Sequence, residues 1–322
     1  TEDISMLEGN IVNLTSLQFK ALTSDQFAGL TTEQAVALES TELGWMTSAQ
    51  FSAITTEAIA ALGTTQVAGY ITSTHIKGLS TDQIQALTTA QVAVLTTAQL
   101  YGGFSTAMVS ALTSTQIGKM TSTQLGSLSG SQVVAIETSN VVALGTTQVA
   151  GLTSSQLAYL STDQVIALST TQVAKLSTVQ LAGLTATQLK SMETEDLVAI
   201  TTASFATLSS IQLAGLTTSQ VAILTTAQFA AMTTTQLTGA LSASMVQSMS
   251  TAQFADRVRN MFGEVYAAAA GRLRNDAEEY LRPMVEDMTG KERPTPEKVL
   301  ESIDGSVELT NEMVYDLAKA HV

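Results

Sequence analysis

An eight-residue unit, Leu-Thr-Thr-x-Gln-Val-Ala-x, recurs thirty times between about Leu14 and Asp256. The stretches Leu87–Val94 and Leu224–Ala231 spell it most clearly. So short a period dictates architecture, because each unit can bury its apolar face only against neighbouring units. Position 1 of the octad falls on Leu14, Leu22, Leu30, Leu38, Met46, Ile54 and Leu62. An extra residue at Gly69 or Tyr70 moves it to Ile71, a second within Tyr101-Gly102-Gly103 moves it to Phe104, and a third near Gly239-Ala240 moves it to Leu241.

Position 2 is Ser or Thr in 25 of 30 copies, and position 5, three residues on, is Gln in 22 of 30. Ser/Thr-x-x-Gln is the pattern of a capping box. The hydroxyl accepts from the backbone N–H three residues later, and the Gln side chain accepts from the cap's own N–H. Each octad therefore carries its own helix start, and the next start arrives before a long helix can form. One continuous helix is excluded on geometry: eight residues advance about 800°, so an apolar stripe drifts about 80° per unit and circles the helix.

A β-solenoid is the competing fold, since Thr and Val favour strands. Against it, positions 1 and 6 have opposite parity and would face opposite sides of an unbroken strand. Ala, Gln and Leu also form helix better than strand. The expected fold is an all-α solenoid of very short capped helices, with the β-solenoid as alternative. Positions 1 and 6 form its core, Ala at position 7 permits close approach, and positions 3, 4 and often 8 face outward. The three insertions are candidate bends or changes of pitch.

Charge divides the chain. Seventeen charged residues lie between Leu14 and Asp256, against 22 in the 66 residues from Arg257 to Val322. Three regions follow: a lead-in over 1–13, whose Ile4, Leu7 and Val12 are placed to cover the first open end; the octad solenoid over 14–256; and a charged helical module over 257–322. In the last, Thr251 opens a helix toward Met288, Pro283 ends or kinks it, Thr295-Pro296 starts another, and Thr310 or Asn311 caps a third.

The formal charge of −14 argues against nucleic acid and against an anionic membrane surface. With no cysteine there is neither a disulfide framework nor a thiolate metal site. No apolar run approaches the roughly 18 residues that span a bilayer. A start at Thr1-Glu2-Asp3, without Met or signal peptide, predicts a processed chain or a fragment.

Chemistry needs singular residues, and the array has few. His75 stands at position 5, where a capping or exposed role is expected rather than a ligand's. Glu39 with Glu42, Glu137 with Asn140, and Glu193 with Glu195 and Asp196 replace the usual cap pair. Adjacent carboxylates suit Ca²⁺, which makes Glu39, Glu42, Glu193, Glu195 and Asp196 weak candidates. The competing reading has Ser40, Thr138 and Thr194 take over the cap while the acids favour a helix N-terminus. Gly63 and Gly145 at position 2 are tolerated caps. Trp45, alone at position 8, is a contact point or fills a groove. No catalytic constellation, cofactor loop or metal-ligand spacing is present.

The string Leu-Thr-Thr-x-Gln-Val-Ala-x-Leu-Thr-Thr resembles the Thr/Gln-rich tandem repeats of large secreted or surface-displayed bacterial proteins. The resemblance covers about three quarters of the chain and implies an extracellular fibre, sheath or adhesive stalk. The single unit also looks like the opening helix of the repeats in bacterial effectors that bind DNA. Those repeats carry a base-reading loop and basic residues, whereas this array has only Lys20, Lys77, Lys119, Lys175 and Lys190, so that function is not carried over. The expectation is a non-catalytic structural protein that self-associates into an oligomer or filament. The alternative is a surface-binding module presenting a regular Thr array to a polysaccharide or to ice.

Overall fold

The computed structural model of the chain describes residues 4–250 together with Gln253. The chain divides into two compact units, Thr1–Phe262 and Gly263–Val322. The helices expected beyond Thr251 lie outside the described residues.

Among the described residues every octad from Leu14 to Ser248 forms one α-helix and there is no strand. The helices are numbered here α1 to α29 in chain order, from α1 (Ser16–Ala21) to α29 (Ala243–Gln247), and each is four to seven residues long. The β-solenoid alternative is thereby set aside. Helix α10 (Thr89–Val94) shows how the octad works. Thr88 is the N-cap, in extended backbone at φ −69° and ψ 156°. Its hydroxyl accepts from the Gln91 N–H at 3.2 Å, and Gln91 Oε1 accepts from the Thr88 N–H at 2.7 Å. Leu95 is the C-cap, again with positive ψ, and the next cap, Thr96, follows at once. Two extended residues between helices make the bend.

Positions 1 and 6 fill the interior as expected. Leu152, Leu157, Leu160 and Val165 are 0–6% exposed, and one apolar core runs the length of the array. Each such side chain stabilises the fold by about 1.5–3 kcal/mol relative to leaving it in water. The insertions lengthen helices: α11 (Thr97–Gly103) and α28 (Thr234–Ala240) absorb theirs as a seventh residue.

Helices pack in steps of three: α15 (Gly130–Val134) on α18 (Ser154–Tyr159), and α18 on α21 (Thr178–Gly183). The approach is close enough to require small residues. A Cβ on Gly151 would sit 2.5 Å from the Ser122 Cβ, and one on Gly183 would run into the Ser154 carbonyl. Position 8 of one unit thus meets position 3 of the unit three before it, which is why both are small in most copies. Tyr159 breaks the rule with a partner that makes room, its ring filling the space a side chain on Gly130 would take.

The lead-in is a 3-10 helix, Ile4–Asn13, packed on α3 (Thr32–Ala37). Ile4 and Ile11 are buried, Leu7 and Val12 partly so, and the Gln34 amide donates to the Ile4 carbonyl at 2.8 Å.

Candidate functional site

The feature that the octad reading missed is the second task of the position-5 glutamine. Gln164, in α19 (Thr162–Ile166), keeps its capping bonds to Ser161. Its Nε2 also donates across the turn to the carbonyls of Val133 at 3.1 Å, Val134 at 3.2 Å and Ile136 at 2.6 Å. These acceptors lie at the end of α15, four units earlier, and at the bend that follows it. Gln91 does the same to Ile59, Ala60 and Leu62, and Gln220 to Leu189, Lys190 and Met192. Helix bodies pack three units apart while the amides reach back four, so one superhelical turn takes between three and four octads. The glutamines are correspondingly buried, Gln91 and Gln228 to 1% exposure. One side chain satisfies the first N–H of its own helix and the last carbonyls of another, groups that every helix leaves unpaired.

Singular residues sit in this same slot. His75 is buried, stacks on Phe51 at 5.2 Å, accepts from the Thr72 N–H through Nδ1 at 3.2 Å, and places Nε2 2.9 Å from the Met46 carbonyl. A carbonyl can only accept, so Nε2 carries the proton. His75 is a glutamine substitute, in the capping role expected and not exposed. Asn140 is too short to reach three carbonyls and donates to one, Leu112, at 2.7 Å.

The acidic copies differ from expectation. Ser40, Thr138 and Thr194 do not take over the cap; they are first helical residues, and Glu39, Glu137 and Glu193 keep the N-cap position. The register holds because the core residues at positions 1 and 6 fix it, and moving the cap by one residue would move them too. The Glu39 N–H donates to Glu42 Oε2 at 3.0 Å, so buried Glu42 performs the returning half of the box. Glu193 and Glu195 are exposed while Asp196 is buried. Burial pushes the Asp196 carboxyl up, the Thr170 hydroxyl bonded to it acts the other way, and Glu193 and Glu195 raise it further. Elsewhere, Glu33 and Glu57 near helix starts are held below the usual carboxylate range, first by their own backbone N–H and then by threonine hydroxyls. Among the described residues no group of three or more His, Asp or Glu side chains is placed to hold a metal ion. Trp45 packs edge-on against Phe19 at 5.8 Å and is half-buried, filling a groove.

The outer surface carries a longer rhythm. Tyr101, Val134, Ile166 and Val198 are exposed at position 7 of every fourth unit. Two open grooves flank this line. One contains Val134, Glu137 and Asp163, with the Ser110 hydroxyl donating to Glu137; the other contains Ile166, Lys190, Glu193 and Glu195. Spacings of 32 or 33 residues in the sequence were the available signal, hidden behind the stronger period of eight.

The six letters Ala86-Leu87-Thr88-Thr89-Ala90-Gln91 open the clearest copy. Four stretches match the ALTTAQ repeat. They are residues 35–69, 70–100, 133–170 and 189–226, and they mark the chain as a tandem repeat region. Each matched stretch is about four octads long, so the ALTTAQ repeat corresponds in length to roughly one superhelical turn plus the contacts that close it. No curated protein and no solved structure matches the chain. No helix among the described residues is long and apolar enough to cross a membrane.

Proposed function

We propose that the chain is a structural, non-catalytic element of an extracellular fibre, sheath or adhesive stalk, built by packing of subunits on one another. One observation carries this reading: the side chains that could do chemistry are spent on architecture. His75, Asn140, Glu42 and Ser204 occupy the buried capping slot, and the outward positions are mostly uncharged Thr, Ser, Ala and Gly. A stack of near-identical units offers the same surface at each step, and contacts between such surfaces that do not close produce filaments. The test is negative-stain microscopy of the full chain at several concentrations. Filaments or lateral bundles that lengthen with concentration are expected; isolated particles near one chain length throughout would contradict assembly.

A second reading has support from the exposed hydroxyls of Thr89, Thr97 and Thr226, which suit a surface glycan. Ice fits less well: the position-2 hydroxyls are engaged in caps, and a non-integral number of units per turn does not align threonines on one flat face.

A further inference from the structure

Asp196 stands at position 5 of α23 (Thr194–Ala199) and is 3% exposed. In this slot a glutamine both accepts from its cap and donates across the turn to the carbonyl 28 residues earlier, as Gln188 does to Leu160 at 2.7 Å and Gln180 to Leu152 at 2.8 Å. An ionised carboxylate only accepts. The carbonyl that corresponds at this step is that of Leu168, 28 residues before Asp196, and no side-chain amide reaches it. The shorter side chain can span the gap, because Asn140 donates over the same 28-residue step to Leu112 at 2.7 Å. A protonated Asp196 has the shape and the donor of that asparagine.

We propose that Asp196 is a proton-operated latch between α23 and the preceding turn: with a proton it donates to the Leu168 carbonyl, and without one it lets that carbonyl go and holds only the Thr170 hydroxyl. The surroundings favour the protonated form. Burial comes first, and Glu193 and Glu195 on the same helix add to it; the Thr170 hydroxyl acts against them. Of the elements packed on α23, α20 (Thr170–Val173) contributes that hydroxyl and no charge, and α26 (Thr218–Ile223) has no charged side chain. Lys175, two residues past α20, and Lys190, on α22 (Ala186–Ser191), are both exposed. The carboxyl's value in the fold is raised above its unfolded value, so the latch stabilises fully below the unfolded value and is lost as pH rises through the folded one. The solenoid is therefore held more tightly at this turn in acid than at neutrality, whether or not the chain assembles.

The test compares the full-length wild type with Asp196→Asn. The amide donates at every pH, so the variant's denaturation midpoint is expected above the wild type's at pH 7, with the gap closing as pH falls to 4. Titration of the Asp196 carboxyl carbon by NMR is expected to give a midpoint above that of an ordinary aspartate, moved further up by Thr170→Val. A gap that does not change with pH, or an Asp196 that titrates at or below the ordinary aspartate value, overturns the latch. Should Asp196→Asn fail to fold, the wild-type titration and its response to Thr170→Val decide alone.

Discussion

Two neighbouring stretches of the solenoid obey the same octad and differ in one slot. From α19 to α22 position 5 is Gln throughout, and each amide ties its helix to the carbonyls of an earlier turn, as Gln172 does to Val141 and Leu144 and Gln188 to Leu157 and Leu160. In α23 and α24 (Thr202–Phe205) the slot holds Asp196 and Ser204. The core is unchanged there: Leu197, Ile200, Phe205 and Leu208 are 0–2% exposed. The local cap survives as well, with the Ser204 N–H donating to Thr201 Oγ1 at 3.2 Å. What is missing is the bond between turns. Hydrophobic burial thus builds the solenoid everywhere, while the amides decide how firmly one turn is held to the next. Units with a substituted slot are the expected places of local opening in an array whose stability is a sum of neighbouring contacts.

The comparison breaks most sharply if the good stretch is made like the poor one. Gln164→Leu keeps the bulk, removes the donor to Val133, Val134 and Ile136, and removes the acceptor for the Ser161 N–H. Buried groups left without partners cost about 1–3 kcal/mol. Chemical denaturation should show that loss, and hydrogen exchange should place it around α15 and α19 rather than along the whole chain. A smaller effect of opposite sign is expected from repairing the poor stretch. Ser204→Gln restores a donor toward the carbonyls of Val173 and Leu176, 31 and 28 residues earlier, and should raise stability by about 0.5–1.5 kcal/mol in the same assay.

Much of this was legible in the octad itself. Ser or Thr followed three residues later by Gln specified the helix start, and the opposite parity of positions 1 and 6 ruled against strands. The same two positions identified the core from Leu14 onward. What stayed hidden depends on how far the chain travels before it meets itself. Gln91 bonds to Leu62, and Gly183 lies against Ser154, only because a turn takes between three and four units, and no local pattern states that number. The acidic caps were misread for a related reason: Ser40 and Thr194 have the right chemistry for a cap, but the buried Met46 and Leu197 hold the register that makes Glu39 and Glu193 the caps instead.

The central claim is that residues 29 apart, on units three steps removed, lie against each other. The absence of native cysteine makes it directly testable. A Cβ on Gly102 would lie 3.6 Å from the Ser73 Cβ, close to the roughly 3.8 Å of a disulfide. Mild oxidation of Ser73→Cys/Gly102→Cys should therefore form an intramolecular bridge in near-quantitative yield with the helical circular dichroism intact. The pair Ser73→Cys/Thr89→Cys, 16 residues apart as in a coil of two octads, should stay reduced. Bridging of the 16-residue pair in place of the 29-residue pair would contradict the helical solenoid.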